Sequence, residues 1–87
     1  MTATDDTFAA VRRVLARTLQ LDGKAASLTR GTELLGSLAE LDSIAVVQVL
    51  EALEEHFGIA VADDEVSADT FATLGGLADF IESKLAA

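Results

Sequence analysis

Three stretches of this chain repeat large apolar side chains every three or four positions, a spacing that commits its core to helices. Phe8, Val11, Leu15 and Leu19 stand at i, i+3, i+7 and i+11, with Val14 beside them. Val46, Leu50, Leu53 and Phe57 form a second stripe with Val49 on its edge, and Leu74, Leu77, Ile81 and Leu85 form a third. Each set falls on one side of a 3.6-residue helix. The 87 residues hold no proline to break these stripes and no cysteine to bridge them. One core built from helix faces is therefore expected, in a single domain spanning 1–87.

The boundaries follow from capping chemistry. Thr4 or Asp5 can cap the first helix, and Leu21-Asp22-Gly23 supplies a stop. The second helix begins at Asp42 or Ser43 and ends near Phe57, with Gly58 as a left-handed cap. Ile59–Val61 reads as an extended connector or a short strand, and Asp63 or Asp64 opens a short helix through Val66. Thr73 caps the last helix. The fold class expected is all-α, a four-helix bundle of three main helices and one short one. Between helices one and two, residues 22–41 form a long loop that Leu28, Leu34, Leu35 and Leu38 pin to the core. So long a connection in so small a domain points to function.

The charge is lopsided. Arg12, Arg13, Arg17, Lys24 and Arg30 outweigh Asp5, Asp6 and Asp22 in residues 1–30, five against three, a net of +2. Residues 31–87 set twelve acids against Lys84 alone, a net of −11 that completes the total of −9. Phosphate backbones attract basic surfaces, so nucleic acid is excluded as a partner. Basic patches on other proteins fit the acidic part, where charge raises association rates. No apolar run approaches the roughly 20 residues of a membrane span. The acidic, polar start Met1–Phe8 lacks the features of a signal peptide. A cytoplasmic monomer is expected.

Several chemistries fall away. A serine nucleophile at Ser43 needs a base within reach, and the only histidine, His56, lies thirteen residues further along the same helix. That is about 20 Å at 1.5 Å per residue. The acidic run Asp63–Asp69 lacks the calcium-loop pattern and reads as solvated carboxylates at a helix start, so no metal site is expected. Gly75-Gly76 has no phosphate-loop context and reads as a closely packed first helical turn.

What remains is the start of the second helix. If Asp42 accepts the free amides of the first turn, Ser43 occupies the first helical position with its hydroxyl free. A phosphate ester there would lie at the positive end of the helix dipole. Alternatively Ser43 is itself the cap and nothing more. Ile44 falls on the acidic side of this helix with Gln48, Glu51 and Glu55, away from the apolar stripe.

The segment LDSIAVVQVLEALEEHFGI resembles the attachment segment of acyl carrier proteins, small helical bundles that hold a 4′-phosphopantetheine arm on the serine of a D-S-L or D-S-I motif. The resemblance spans nearly the whole chain, from the first helix and long loop through IAVADDEV to FATLGGLADFIESKL. It implies that Ser43 bears the arm and Asp42 precedes it. Ile44 would be the apolar contact beside the arm, with Gln48, Glu51, Glu54 and Glu55 on or next to the docking face. The partners implied are a phosphopantetheinyl transferase and acyl-loading or acyl-processing enzymes with basic docking patches. The protein would be no enzyme itself but a carrier of acyl thioesters for a fatty-acid, polyketide or related pathway. The missing thiol fits, because the arm supplies one.

Three departures from the common fatty-acid pattern favour a dedicated carrier of a specialised pathway. Ala39-Glu40-Leu41 stands where a small residue usually precedes Asp-Ser, Ala45 and Gln48 stand where acids are frequent, and Glu51 stands where an apolar residue is frequent. An aminoacyl or peptidyl carrier shares the fold and the serine, but often has Gly-rich surroundings that this chain lacks. An acidic adaptor without an arm is the other alternative.

Overall fold

The computed structural model describes residues 4–21, 27–34 and 42–86. Its elements are α1 (Asp5–Thr18), α2 (Ser43–Phe57), a single 3-10 turn (Asp63–Glu65) and α3 (Leu74–Ala86). The short third helix expected through Val66 is this tighter turn, and 59–61 is an irregular connector.

Thr4 caps α1: its Oγ1 accepts from the Thr7 amide at 3.2 Å, with Asp5 and Asp6 in the dipole-favoured first turn. The far end closes earlier than Gly23, which lies outside the described residues. Gln20 takes the left-handed conformation at φ 56°. Its amide donates to Arg17 O at 3.3 Å, and the Leu21 amide donates to Ala16 O at 2.8 Å. That pair of bonds is a Schellman closure, and the buried Leu21 side chain anchors it.

α1 packs against both other main helices. Arg17 and Thr18 in the last turn of α1 line a groove with Ala52, Glu55 and His56 of α2. The Thr4 amide, at the start of α1, donates to Glu82 Oε1 near the end of α3 at 3.0 Å, so α1 and α3 run in opposite directions.

Val11, Leu15, Leu19, Leu53, Leu74, Leu77 and Ile81 are buried, as their spacing predicts. The phase of α2 differs from that prediction. Ala45, Val49 and Leu53 form its buried line, while Val46, Leu50 and Phe57 pack half-buried on the flanks. Phe8 is also only partly buried, and Leu85 is 40% exposed. Phe71, in the turn before α3, fills core volume that no helical period identifies.

The loop is pinned where Leu28 and Leu34 are buried; Leu35 and Leu38 lie outside the described residues. Backbone pairing adds to those anchors. Arg30 O and Thr32 O accept the Gly75 and Leu74 amides, each at 2.9 Å, and Leu34 N donates to Ala72 O at 3.0 Å. The bonds to Arg30 O and Thr32 O occupy amides that the first turn of α3 cannot satisfy itself, and Thr73 Oγ1 takes that of Gly76 at 3.0 Å.

Candidate functional site

The start of α2 is set by Asp42. Its backbone is extended, with φ −98° and ψ −177°, and its Oδ1 accepts the Ala45 amide at 2.8 Å. Its carbonyl takes the first intrahelical bond, from Val46 N at 2.9 Å. Asp42 is thus the cap, and Ser43 is the first helical residue. The amides of Ser43 and Ile44 have no carbonyl four residues back within the helix to accept them. No acidic side chain other than the cap lies in this turn. Two amides outside the helical ladder, at the positive end of a helix dipole, suit a phosphodiester.

Down the outer side of α2, Ile44 is 70% exposed, and Gln48, Glu51 and Glu55 are exposed below it. Val47, 53% exposed, joins Ile44 as a second uncovered apolar residue. Sequence reading passed over it, although its position one turn beyond Ile44 is signal enough. Glu54 is placed differently from its neighbours. It is half-buried, and its Oε2 accepts the Val61 amide at 2.8 Å, so its carboxylate holds the connector after α2.

At the other end, Gly58 closes α2 in the left-handed region at φ 66°. His56 lies in this last turn, its ring edge-on to Phe57 at 4.8 Å. Ser43 and His56 therefore occupy opposite ends of one helix, which rules out a base-assisted serine nucleophile between them. Gly75 is buried, and a Cβ there would meet Arg30 O at 2.9 Å, which accounts for one of the paired glycines by close packing. In the acidic run, Glu65 is committed locally. It accepts the Ala62 amide at 2.8 Å and pairs with Lys84 at 2.6 Å. Among the described residues no helix is long and apolar enough to cross a membrane.

Residues 9–81 match the family described as "Phosphopantetheine attachment site". The chain is similar to a holo acyl carrier protein from Nitrosomonas europaea, with 51% identity over 92% of this chain and 96% of that one, and a TM-score of 0.85. It also resembles a holo acyl carrier protein from Geobacter metallireducens, at 28% identity, 92% and 86% coverage, and a TM-score of 0.74. With a capped helix opening on Asp-Ser in a three-helix scaffold, the chain belongs to the acyl carrier protein family, carriers of covalent phosphopantetheine that are not themselves enzymes.

Proposed function

We propose that Ser43 is the attachment residue and that the protein presents acyl intermediates to the enzymes of a specialised pathway. The observation that carries this reading is the cap. Asp42 takes the Ala45 amide and leaves Ser43 at the first helical position, beside amides that the helical ladder does not use. When attached, the arm supplies the thiol on which an acyl group rides as a thioester. The chain's own part is to fix the ester at a rigid helix end and to offer a surface that partners grip.

That surface is the outer side of α2. Ile44 and Val47 give an apolar centre, and Gln48, Glu51 and Glu55 give a polar and acidic flank. A partner with an apolar dimple and basic rim matches both, the transferase first and then acyl-handling enzymes. Buried Ala45 and neutral Gln48 lighten the acidity of the first turns, while Glu51 adds charge further down. This pattern supports a partner set distinct from that of a fatty-acid carrier. The protein acts as a cytoplasmic monomer in this reading.

Incubation with coenzyme A and a broad-specificity phosphopantetheinyl transferase, followed by intact mass measurement, tests the attachment. Wild type gains one phosphopantetheinyl group and Ser43→Ala gains none; a full gain in the variant overturns the assignment.

A further inference from the structure

The chain has four arginines, and three of them lie on α1: Arg12, Arg13 and Arg17. None of the three forms an ion pair among the described residues, although the chain carries fifteen acids. The fourth, Arg30, is engaged with Asp79. Arg13 and Arg17 are exposed, while Arg12 is half-buried with its guanidinium 5.7 Å from the centre of the Phe8 ring.

Solubility does not account for this arrangement. Positive groups on a chain of net charge −9 reduce the charge that keeps it soluble. Arg13 and Arg17 also stand at i and i+4, where like charges weaken a helix. The helix dipole favours Arg17 in the last turn but does not reach Arg13 in the middle. The residue type points to recognition. Arginine is enriched at protein interfaces and lysine depleted, because the flat guanidinium fork grips a carboxylate through two parallel hydrogen bonds.

Arg13 and Arg17 lie nearly in line along the outside of α1, about 6 Å apart at 1.5 Å per residue. Ala9 and Ala10, one turn before Arg13, are too small to hold a partner away. Exposed Asp6, two turns before it, ends the basic stretch. We propose that this side of α1 docks an acidic helical segment of a partner protein. Two glutamates at i and i+4 on a helix laid along α1 have the same pitch of about 6 Å and fill both forks at once.

Broader polyanions fit less well. A nucleic-acid duplex or an anionic membrane presents charge across the whole molecule, which measures 32 × 26 × 21 Å, and so meets its net negative charge. A short segment on α1 is governed by the arginines, since charges are screened over about 8 Å at 0.15 M salt. The preference is the reverse of that offered by the acidic flank of α2, so partners of opposite charge are sorted to different helices. This docking does not depend on the reading of Ser43 and holds with or without an arm.

The test titrates the full unloaded chain with alanine-based helical peptides and follows its backbone amide spectra. A peptide with glutamates paired at i and i+4 is expected to shift Ala9, Ala10, Arg13 and Arg17 and to leave Ile44, Gln48 and Glu51 in place. A control of the same composition sets its glutamates at i and i+2, on opposite sides of the peptide helix, and should bind severalfold more weakly. Arg13→Glu with Arg17→Glu should lose the response to the paired peptide and gain one, at the same amides, to a peptide with lysines at i and i+4. Circular dichroism checks the fold of that variant. If it unfolds, Arg13→Gln with Arg17→Gln replaces it and should weaken binding of the paired peptide severalfold. No shift on α1 with peptide on the order of 1 mM, equal binding of both glutamate spacings, or binding unchanged in the variants overturns the proposal. Phosphatidylserine vesicles provide the last comparison, and perturbation of the same amides at lower anion concentration than the peptide needs would assign the face to a membrane instead.

Discussion

Arg30 and Asp79, forty-nine positions apart, are joined through one guanidinium nitrogen that lies 2.9 Å from both carboxylate oxygens. The same guanidinium stands 5.8 Å from the centre of the Phe8 ring, and the Arg30 carbonyl accepts the Gly75 amide. One loop residue therefore ties the segment after α1 to both α1 and α3. The ion pair is partly solvated, so its own share is small, and Arg30→Ala should cost about 1 kcal/mol with the ring contact included. Gly75→Ala should cost more, about 1–3 kcal/mol, because the new methyl would press on the Arg30 backbone rather than on a flexible side-chain end. Urea unfolding of both variants checks the order, and Arg30→Ala proving the costlier would contradict it.

The helical period located α2 but set its rotation slightly wrong, and the reason is physical. Size was taken as the marker of burial, yet α2 lies close enough to its neighbours for the small Ala45 to sit inside, with Val49 and Leu53 below it. Leu53→Ala should cost about 2–5 kcal/mol. Leu50→Ala should cost less, because the half-buried side chain leaves a notch that water can fill. Equal losses in thermal unfolding would restore the stripe centred on Leu50. The three main helices, their caps at Thr4, Asp42, Gly58 and Thr73, and the outward position of Ile44 were legible because they depend on local spacing. Phe71 and the pairing of 30–34 with α3 were not, since both arise from long-range packing.

Gln20 illustrates another limit of local reading. Glycine was the expected helix stop, but the chain turns left-handed three residues earlier, at a side-chain-bearing position. Burial of Leu21 decides where the helix must end, and Gln20 bears the strain. The left-handed region costs a non-glycine residue roughly 1–2 kcal/mol, part of which glycine loses again through its greater freedom when unfolded. Gln20→Gly should therefore raise stability by about 0.5–1 kcal/mol by the same reckoning. A lower melting temperature would mean that the Gln20 side chain has a role of its own.

Two carboxylates predict how stability responds to acid. Glu65 is held below its ordinary value first by its hydrogen bond from Lys84 and then by that from the Ala62 amide. Glu82 is lowered chiefly by the Thr4 amide and next by the Thr7 side chain. A depressed folded value means that the unfolded chain binds protons first as pH falls. Their stabilising effect is thus full above the ordinary value of 4.5 and fades as pH drops through the lowered values. Between about pH 5 and pH 3, Glu65→Gln with Glu82→Gln should lose less stability than wild type. Parallel acid-unfolding curves would show that other carboxylates dominate.

The acids of α2 divide by what they touch. Glu51 stands exposed, whereas Glu54 holds the Val61 amide. Glu51→Lys should leave the fold intact and slow association with the transferase, an effect that salt erodes as charges are screened over about 10 Å at 0.1 M. Glu54→Ala should act the other way, loosening the connector at a cost of about 1 kcal/mol with little change in the salt dependence of loading. Ile44→Ala removes an apolar contact beside Ser43, so it should slow loading at every salt concentration, because hydrophobic contact is not screened. Loading rate against salt, with helicity followed by circular dichroism, separates the three. If Ile44→Ala unfolds the domain, its exposed position is misassigned; if Glu51→Lys and Ile44→Ala both load as wild type at low salt, the docking surface is not the outer side of α2.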